Sequence, residues 1–144
     1  AELNKNQKLK ALVTAGPTIE YIDPVRFITN KSSGKQGYTL AKSLAKNGFQ
    51  TTLISGPTNL QIDSNINLIK VETADEMFKA TQKNLPADVA IFSAAVADFK
   101  IKEIKNKKMK KQENLNLECL HLTYGTIFCL DLMILSIASD PGLK

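Results

Sequence analysis

The chain has no tryptophan, one histidine, two cysteines and one arginine, and each shortage removes a class of function. Cys119 and Cys129 are too few to build the disulfide framework that staples small secreted domains. With His121 as the sole imidazole, the ligand count and spacing of a structural zinc site are missing. No apolar run approaches the roughly 20 residues that cross a bilayer. The opening Ala1-Glu2-Leu3-Asn4-Lys5 has no apolar core of a secretory signal. We therefore expect a reduced, cytoplasmic protein with no membrane partner. The missing initiator methionine leads us to expect a processed chain, or one cut from a longer protein.

What is present is an ordinary globular balance. The 144 residues are 43% apolar and 23% charged, which fits one domain and excludes bulk disorder. The net charge of +5 is unevenly placed. Residues 100–111 (KIKEIKNKKMKK) hold seven lysines and one glutamate, a local +6, and the other 12 basic and 13 acidic residues leave −1. Basicity confined to one segment points to a local anionic partner. Nucleic acid is disfavoured, because the run has no interleaved aromatics and no binding motif.

Residues 1–8 read as a polar, linker-like tail, and the domain as 9–144. The run 9–15 (LKALVTA) stops at Gly16-Pro17, the pattern of a strand and then a turn. A polar stretch continues to Ser33. Tyr38, Ala41, Leu44 and Ala45 then recur at helical spacing, so a helix is expected over about 35–47. Ser32 or Ser33 is the expected cap and Gly48 the C-terminal glycine. Further strands are expected near 51–55, 66–71 and 88–93, the first closed by Gly56-Pro57. Thr73 and Glu76 form a capping box that opens a helix to about residue 84. Strands alternating with helices predict a Rossmann-like α/β domain, with a mostly parallel sheet and helices on both faces. A strand within 115–122 and a helix over 130–138 complete the reading.

Ligands of open α/β sheets bind at the carboxyl ends of the strands. Two such ends stand out. The loop 16–33 is long for a βα connection, and it carries Arg26, Asn30 and the small residues Ser32-Ser33-Gly34 at the helix entry. Backbone N–H groups there can approach an anion, and Gly16 and Gly34 let the backbone come close. A plain capped helix is the simpler alternative, since the residues match neither a P-loop nor GxGxxG. Arg26 by itself reads as a loop ion pair. At the second end, Phe92-Ser93-Ala94 lets a flat ring lie on the backbone, and Asp98 is placed to hold Mg²⁺ on a triphosphate. The bland reading of Asp98 is a turn former, and that of the lysine run a solvated loop.

The ordered motifs AGPT-x₄-DPVRFITNKSSGKQG, SGPT, SAAVADF and KKMKKQ together resemble the phosphopantothenate–cysteine ligase (phosphopantothenoylcysteine synthetase) family over about residues 9–113. The resemblance implies a CTP-dependent ligation in coenzyme A biosynthesis. 4′-Phosphopantothenate would be activated as an acyl-cytidylate, with loss of pyrophosphate, and then joined to L-cysteine. It implies catalytic roles for Asn30 on the intermediate, for Arg26 and for Lys108. Nucleotide contacts are implied at Phe92, Ser93, Ala94 and Asp98, with Gly16, Ser32 and Gly34 lining the anion. CTP as substrate, Mg²⁺ at Asp98, a homodimer, and a flavin-dependent decarboxylase half on the N-terminal side follow in the same way. A carboxamide at Asn30 would donate to an oxygen that gains charge during amine attack.

Members of the family continue well beyond residue 144, and 119–135 are atypical of them, so the domain reads as truncated. Cys119, His121 and Cys129 fall in that stretch and receive no role. The competing readings are a non-catalytic nucleotide-binding or dimerisation fragment, and a NAD-type oxidoreductase. The second is disfavoured because no GxGxxG follows the first strand and no acidic residue ends the second.

Overall fold

A computed structural model describes residues 7–108 and 118–121. In chain order the elements are β1 (Lys10–Ala15), β2 (Ile19–Tyr21), β3 (Phe27–Thr29), α1 (Lys35–Lys46), β4 (Gln50–Ser55), β5 (Asn67–Lys70), α2 (Ala74–Lys83), β6 (Val89–Phe92), β7 (Phe99–Ile101) and β8 (Cys119–His121). Four strands make one sheet in the order β5-β4-β1-β6, with every neighbouring pair parallel. The expected strands and both helices are present to within a residue or two, and the parallel crossover holds.

Side chains of β1 and β4 alternate between two cores. Leu12 and Ile54 pack with Met77 of α2 on one face. Val13, Ala15 and Leu53 pack with Tyr38 and Ala41 of α1 on the other. A strand period of two thus buries consecutive apolar residues against opposite helices, as in a doubly covered parallel sheet. No helix among the described residues is long and apolar enough to cross a membrane.

The helix ends explain where the elements stop. Gly48, at φ 90°, follows α1, and the Phe49 and Gly48 amides donate to the carbonyls of Leu44 and Ala45. This is the left-handed glycine stop that the sequence implies. The other end differs from expectation. Gly34 itself begins the helix in a left-handed conformation (φ 73°), and no side chain caps α1. The Ser32 and Ser33 hydroxyls instead accept from the amides two residues on, those of Gly34 (3.3 Å) and Lys35 (3.4 Å). At α2, Thr73 Oγ1 accepts from Glu76 N (3.2 Å) as the capping box requires. Glu76 returns its carboxylate to Glu72 N (2.8 Å), one residue earlier than the simple box.

Two segments read as loops are strands. The stretch 16–33 contains the antiparallel hairpin β2–β3. Its turn is held by the buried Asp23, whose Oδ1 accepts from the amides of Val25 and Arg26, both at 2.8 Å. The lysine run begins with β7, which pairs antiparallel with β8. Ile101, 3% exposed, packs with Ile22 and Ile28 of the hairpin region, so one apolar residue anchors a cationic segment. Two of its lysines are paired, Lys100 with Asp75 and Lys102 with Glu118, each at 2.8 Å. The expected helix over 130–138, Cys129 and most of the atypical stretch lie outside the described residues, as do residues 1–6 of the expected tail.

Candidate functional site at the ends of β1 and β6

With strand order β5-β4-β1-β6, the chain winds outward from β1 through β4 to β5 and then crosses back to β6 on the other side of β1, so the junction of β1 and β6 is the topological switch point. The sequence places Gly16-Pro17 at the end of β1 and Ser93-Ala94-Ala95 at the end of β6. Pairing continues past the named strands: Ala95 N donates to Gly16 O (2.9 Å), and Thr18 N donates to Ala95 O (3.2 Å). Ser93 is drawn in as well, its hydroxyl donating to Thr14 O at 2.7 Å.

Glycine at two positions lets α1 approach this junction. A Cβ on Gly37 would lie 2.4 Å from Ala15 Cβ and 2.6 Å from Ser93 Oγ. A Cβ on Gly34 would lie 3.2 Å from Gly16 Cα and 2.9 Å from Thr58 Cγ2. The start of α1 is therefore seated directly on the ends of β1 and β6, which brings Gly16, Ser32, Gly34 and Ser93 into one region.

Asn30 closes the region from the hairpin side. Its Nδ2 donates to Val96 O (2.9 Å) and Ala95 O (3.3 Å). Carbonyl oxygens only accept, so the carboxamide nitrogen faces them and Oδ1 is left as its acceptor. The donor role expected of Asn30 toward a reacting oxygen competes with these two bonds. Beside it lies a cleft of about 470 Å³ lined by Pro17, Ile19, Phe27, Thr29, Asn30, Lys31, Ser32, Ser33 and Pro57. A second cleft, lined by Ser32, Ser33, Pro57, Thr58, Asn59 and Leu60, adjoins it.

The other expected residues are placed less closely. Arg26 sits on the hairpin turn with Nε 3.6 Å from the fully buried Asp23 carboxylate, the ion pair that its bland reading anticipates. Phe92 and Ala94 are half-buried at the end of β6. Asp98 is exposed just past that end, and Lys108 is exposed at the limit of the described run. Among the described residues no cluster of three or more His, Cys, Asp or Glu is arranged to hold a metal. A single exposed carboxylate fits Mg²⁺ only when most ligands come from nucleotide phosphates and water.

The hairpin is fixed to the start of α2 by groups that carry no obvious chemical signature in the sequence. Ile19 N donates to Glu72 O (2.8 Å), and Tyr21 Oη donates to Glu72 Oε2 (2.7 Å), which raises the phenol's pKa. Buried Glu20 accepts from Ala74 N (3.1 Å). Burial pushes the Glu20 carboxyl above its ordinary range, with Asp75 and Glu76 adding to the rise, and the Ala74 amide and Lys100 opposing it. Sequence reasoning also missed Thr18 and Thr29. The available signal was a threonine inside a strand-end turn, where a hydroxyl can bond backbone groups.

The sheet order and the glycine-lined junction define a Rossmann-like domain whose cleft lies where such sheets take ligands. The chain belongs to the family described as DNA/pantothenate metabolism flavoprotein C-terminal domain, which matches residues 6–125. It is 46% identical over 106 residues to the Coenzyme A biosynthesis bifunctional protein CoaBC of Haemophilus influenzae, covering 73% of this chain and 26% of that protein. The chain thus spans about a quarter of the length of the curated relatives it matches. The crystal structure of the C-terminal domain of a CoaBC superposes with TM-score 0.72 at 36% identity, covering 86% of this chain and 60% of that one. A Cab2 variant in complex with phosphopantothenate-cysteine shares the fold, with TM-score 0.64 at 19% identity over 86% of this chain and 60% of the other.

Proposed function

We propose that this chain carries the nucleotide-binding core of a CTP-dependent phosphopantothenate–cysteine ligase. The observation that carries the reading is the bridge from Asn30 to the Ala95 and Val96 carbonyls at the switch point. It joins the two segments that the family resemblance assigns to catalysis and to nucleotide contact. Membership in a family whose curated relatives are coenzyme A biosynthesis proteins supports it, as does the phosphopantothenate-cysteine held by the Cab2 relative.

In the first step a carboxylate oxygen of 4′-phosphopantothenate attacks the α-phosphorus of CTP. The bond to the β-phosphate oxygen breaks, pyrophosphate leaves and an acyl-cytidylate remains. Phe92, Ser93 and Ala94 lie along the base and ribose, while Gly16, Ser32 and Gly34 offer close backbone approach to phosphate. Lys108 neutralises charge on the departing pyrophosphate. Mg²⁺, held by phosphate oxygens with Asp98, would screen the triphosphate charge. In the second step the cysteine amine attacks the acyl carbon, CMP leaves and the nitrogen gives up a proton. With Nδ2 engaged, Asn30 Oδ1 accepts from the amine N–H and aims its lone pair. Arg26, on the turn four residues earlier, is a candidate clamp for substrate phosphate or carboxylate.

The cleft beside Asn30 has the size and mixed lining of a small-molecule site. A homodimer fits the apolar side chains that the hairpin and β7 region expose, Val25, Phe27, Phe99 and Ile104. A flavin-dependent decarboxylase half would precede the domain, as the family resemblance implies, and the bifunctional character of the curated relatives agrees with a second half. The test follows pyrophosphate release on mixing the protein with phosphopantothenate and Mg·CTP, and then CMP release on adding cysteine. Pyrophosphate release that needs phosphopantothenate, followed by cysteine-dependent CMP release, is the expected result. CTP binding with neither release would favour the non-catalytic fragment.

A further inference from the structure

We infer that Thr18 is a positioning residue that holds Asn30 in place by fixing the peptide carbonyls on which the carboxamide rests. The inference rests on the reading in which Asn30 serves the amine attack. Thr18 is fully buried just past the end of β1, and three of its groups are engaged. Its N–H donates to Ala95 O (3.2 Å), and its Oγ1 accepts from Ala97 N (2.8 Å). Its carbonyl accepts from the hydroxyl of Thr29 (2.9 Å), the residue beside Asn30. Asn30 in turn donates to the carbonyls of Ala95 and Val96. Thr18 therefore grips the 95–97 backbone on both sides of the bonds to Asn30, and also grips the strand that presents Asn30. It makes no bond to Asn30 itself and acts only through these peptides. Removing Oγ1 while keeping the shape, as in Thr18→Val, leaves the buried Ala97 N–H without its acceptor, and the 95–97 segment shifts to find one. Thr18→Ser keeps the oxygen.

The test reads the Asn30 side-chain amide by NMR in the full chain, with Asn30→Ala to assign the signal. Thr18→Val should shift that signal and speed its hydrogen exchange about tenfold, since exchange requires the bonds to the carbonyls to open. Thr18→Ser should leave it in place. An unchanged Asn30 signal in a folded Thr18→Val chain overturns the proposal. Should Thr18→Val fail to fold, Thr18→Ala removes the same Oγ1 with a smaller side chain, and an unchanged Asn30 signal there overturns the proposal equally. In activity, Thr18→Val should slow cysteine-dependent CMP release about tenfold while pyrophosphate release changes less than about twofold. The double variant with Asn30→Ala should fall no further than Asn30→Ala alone, because both changes remove one function. Multiplicative loss in the double variant would make Thr18 an independent stabiliser and overturn the proposal. If the unaltered protein shows no cysteine-dependent release, the ligase reading fails, while the NMR comparison still decides the role of Thr18.

Discussion

At Asn30 a carboxamide does what a carboxylate of the same shape cannot: it donates to two carbonyl oxygens. Asn30→Asp would set an anion against those oxygens, and it would also change the group facing the substrate. Repelled from its seat, the side chain no longer aims its acceptor oxygen, and we expect cysteine-dependent CMP release to fall by about 10²-fold, with a smaller loss in pyrophosphate release. Timing the two releases separately checks this. Lys108→Gln should reverse the pattern, slowing pyrophosphate release first, because in the proposed reaction its charge opposes that of the triphosphate. Gly37 gives a prediction of another kind. An added methyl would lie 2.4 Å from Ala15 Cβ and 2.6 Å from Ser93 Oγ, so α1 must shift. Gly37→Ala should cost about 1–3 kcal/mol in urea unfolding, as overpacked cores do. The motif residues were legible because they are chemically distinctive and ordered along the chain. The partners of Asn30 were not, since they are main-chain carbonyls of Ala95 and Val96, and no side-chain pattern announces a carbonyl.

The main helices and sheet strands were readable because periodicity and end signals agree. The Gly48 stop and the Thr73–Glu76 cap act within a few residues of sequence. The hairpin β2–β3 was missed because its strands are three residues each, too short for an alternation to stand out, although Asp23-Pro24 marks its turn. β7 was hidden because it opens the lysine run and a single buried Ile101 anchors it. The hairpin's docking on α2 also makes stability depend on pH through Glu20. Its folded-state pKa is raised by burial above the ordinary 4.5. The folded chain thus holds a proton that the unfolded chain has already lost. The resulting contribution is fully present below the ordinary value and disappears as pH rises through the raised one. Glu20→Gln keeps an acceptor for Ala74 N and removes the buried charge. Its Tm should exceed that of the unaltered protein at pH 8 and converge with it below about pH 4. A constant difference across that range would assign the effect to packing. The Lys100–Asp75 pair alongside is about one-third exposed on both side chains, so breaking it should cost no more than about 1 kcal/mol.

For the whole molecule, a parallel sheet was implied by the alternation of strands and helices, whereas the order β5-β4-β1-β6 and the switch point it creates came from the structure. Which loops meet there was not implied, because that depends on the hairpin folding back over the end of β1. The consequence is one candidate region shared by the loop after β1, the start of α1 and the segment after β6. A neighbouring cleft of about 480 Å³ shares Pro57, Thr58 and Leu60 with the one beside Ser32 but runs on to Gln61 and Lys70 near the ends of β4 and β5, and that far end serves as an internal control. The account is tested most directly by titrating the isotope-labelled chain with Mg·CTP and following its backbone amides by NMR. The largest shifts should fall on Gly16, Ser32, Gly34 and the 92–98 segment, with Gln61 and Lys70 little changed. Shifts centred on Gln61 and Lys70, or none at roughly millimolar nucleotide, where even weak sites fill, would contradict it.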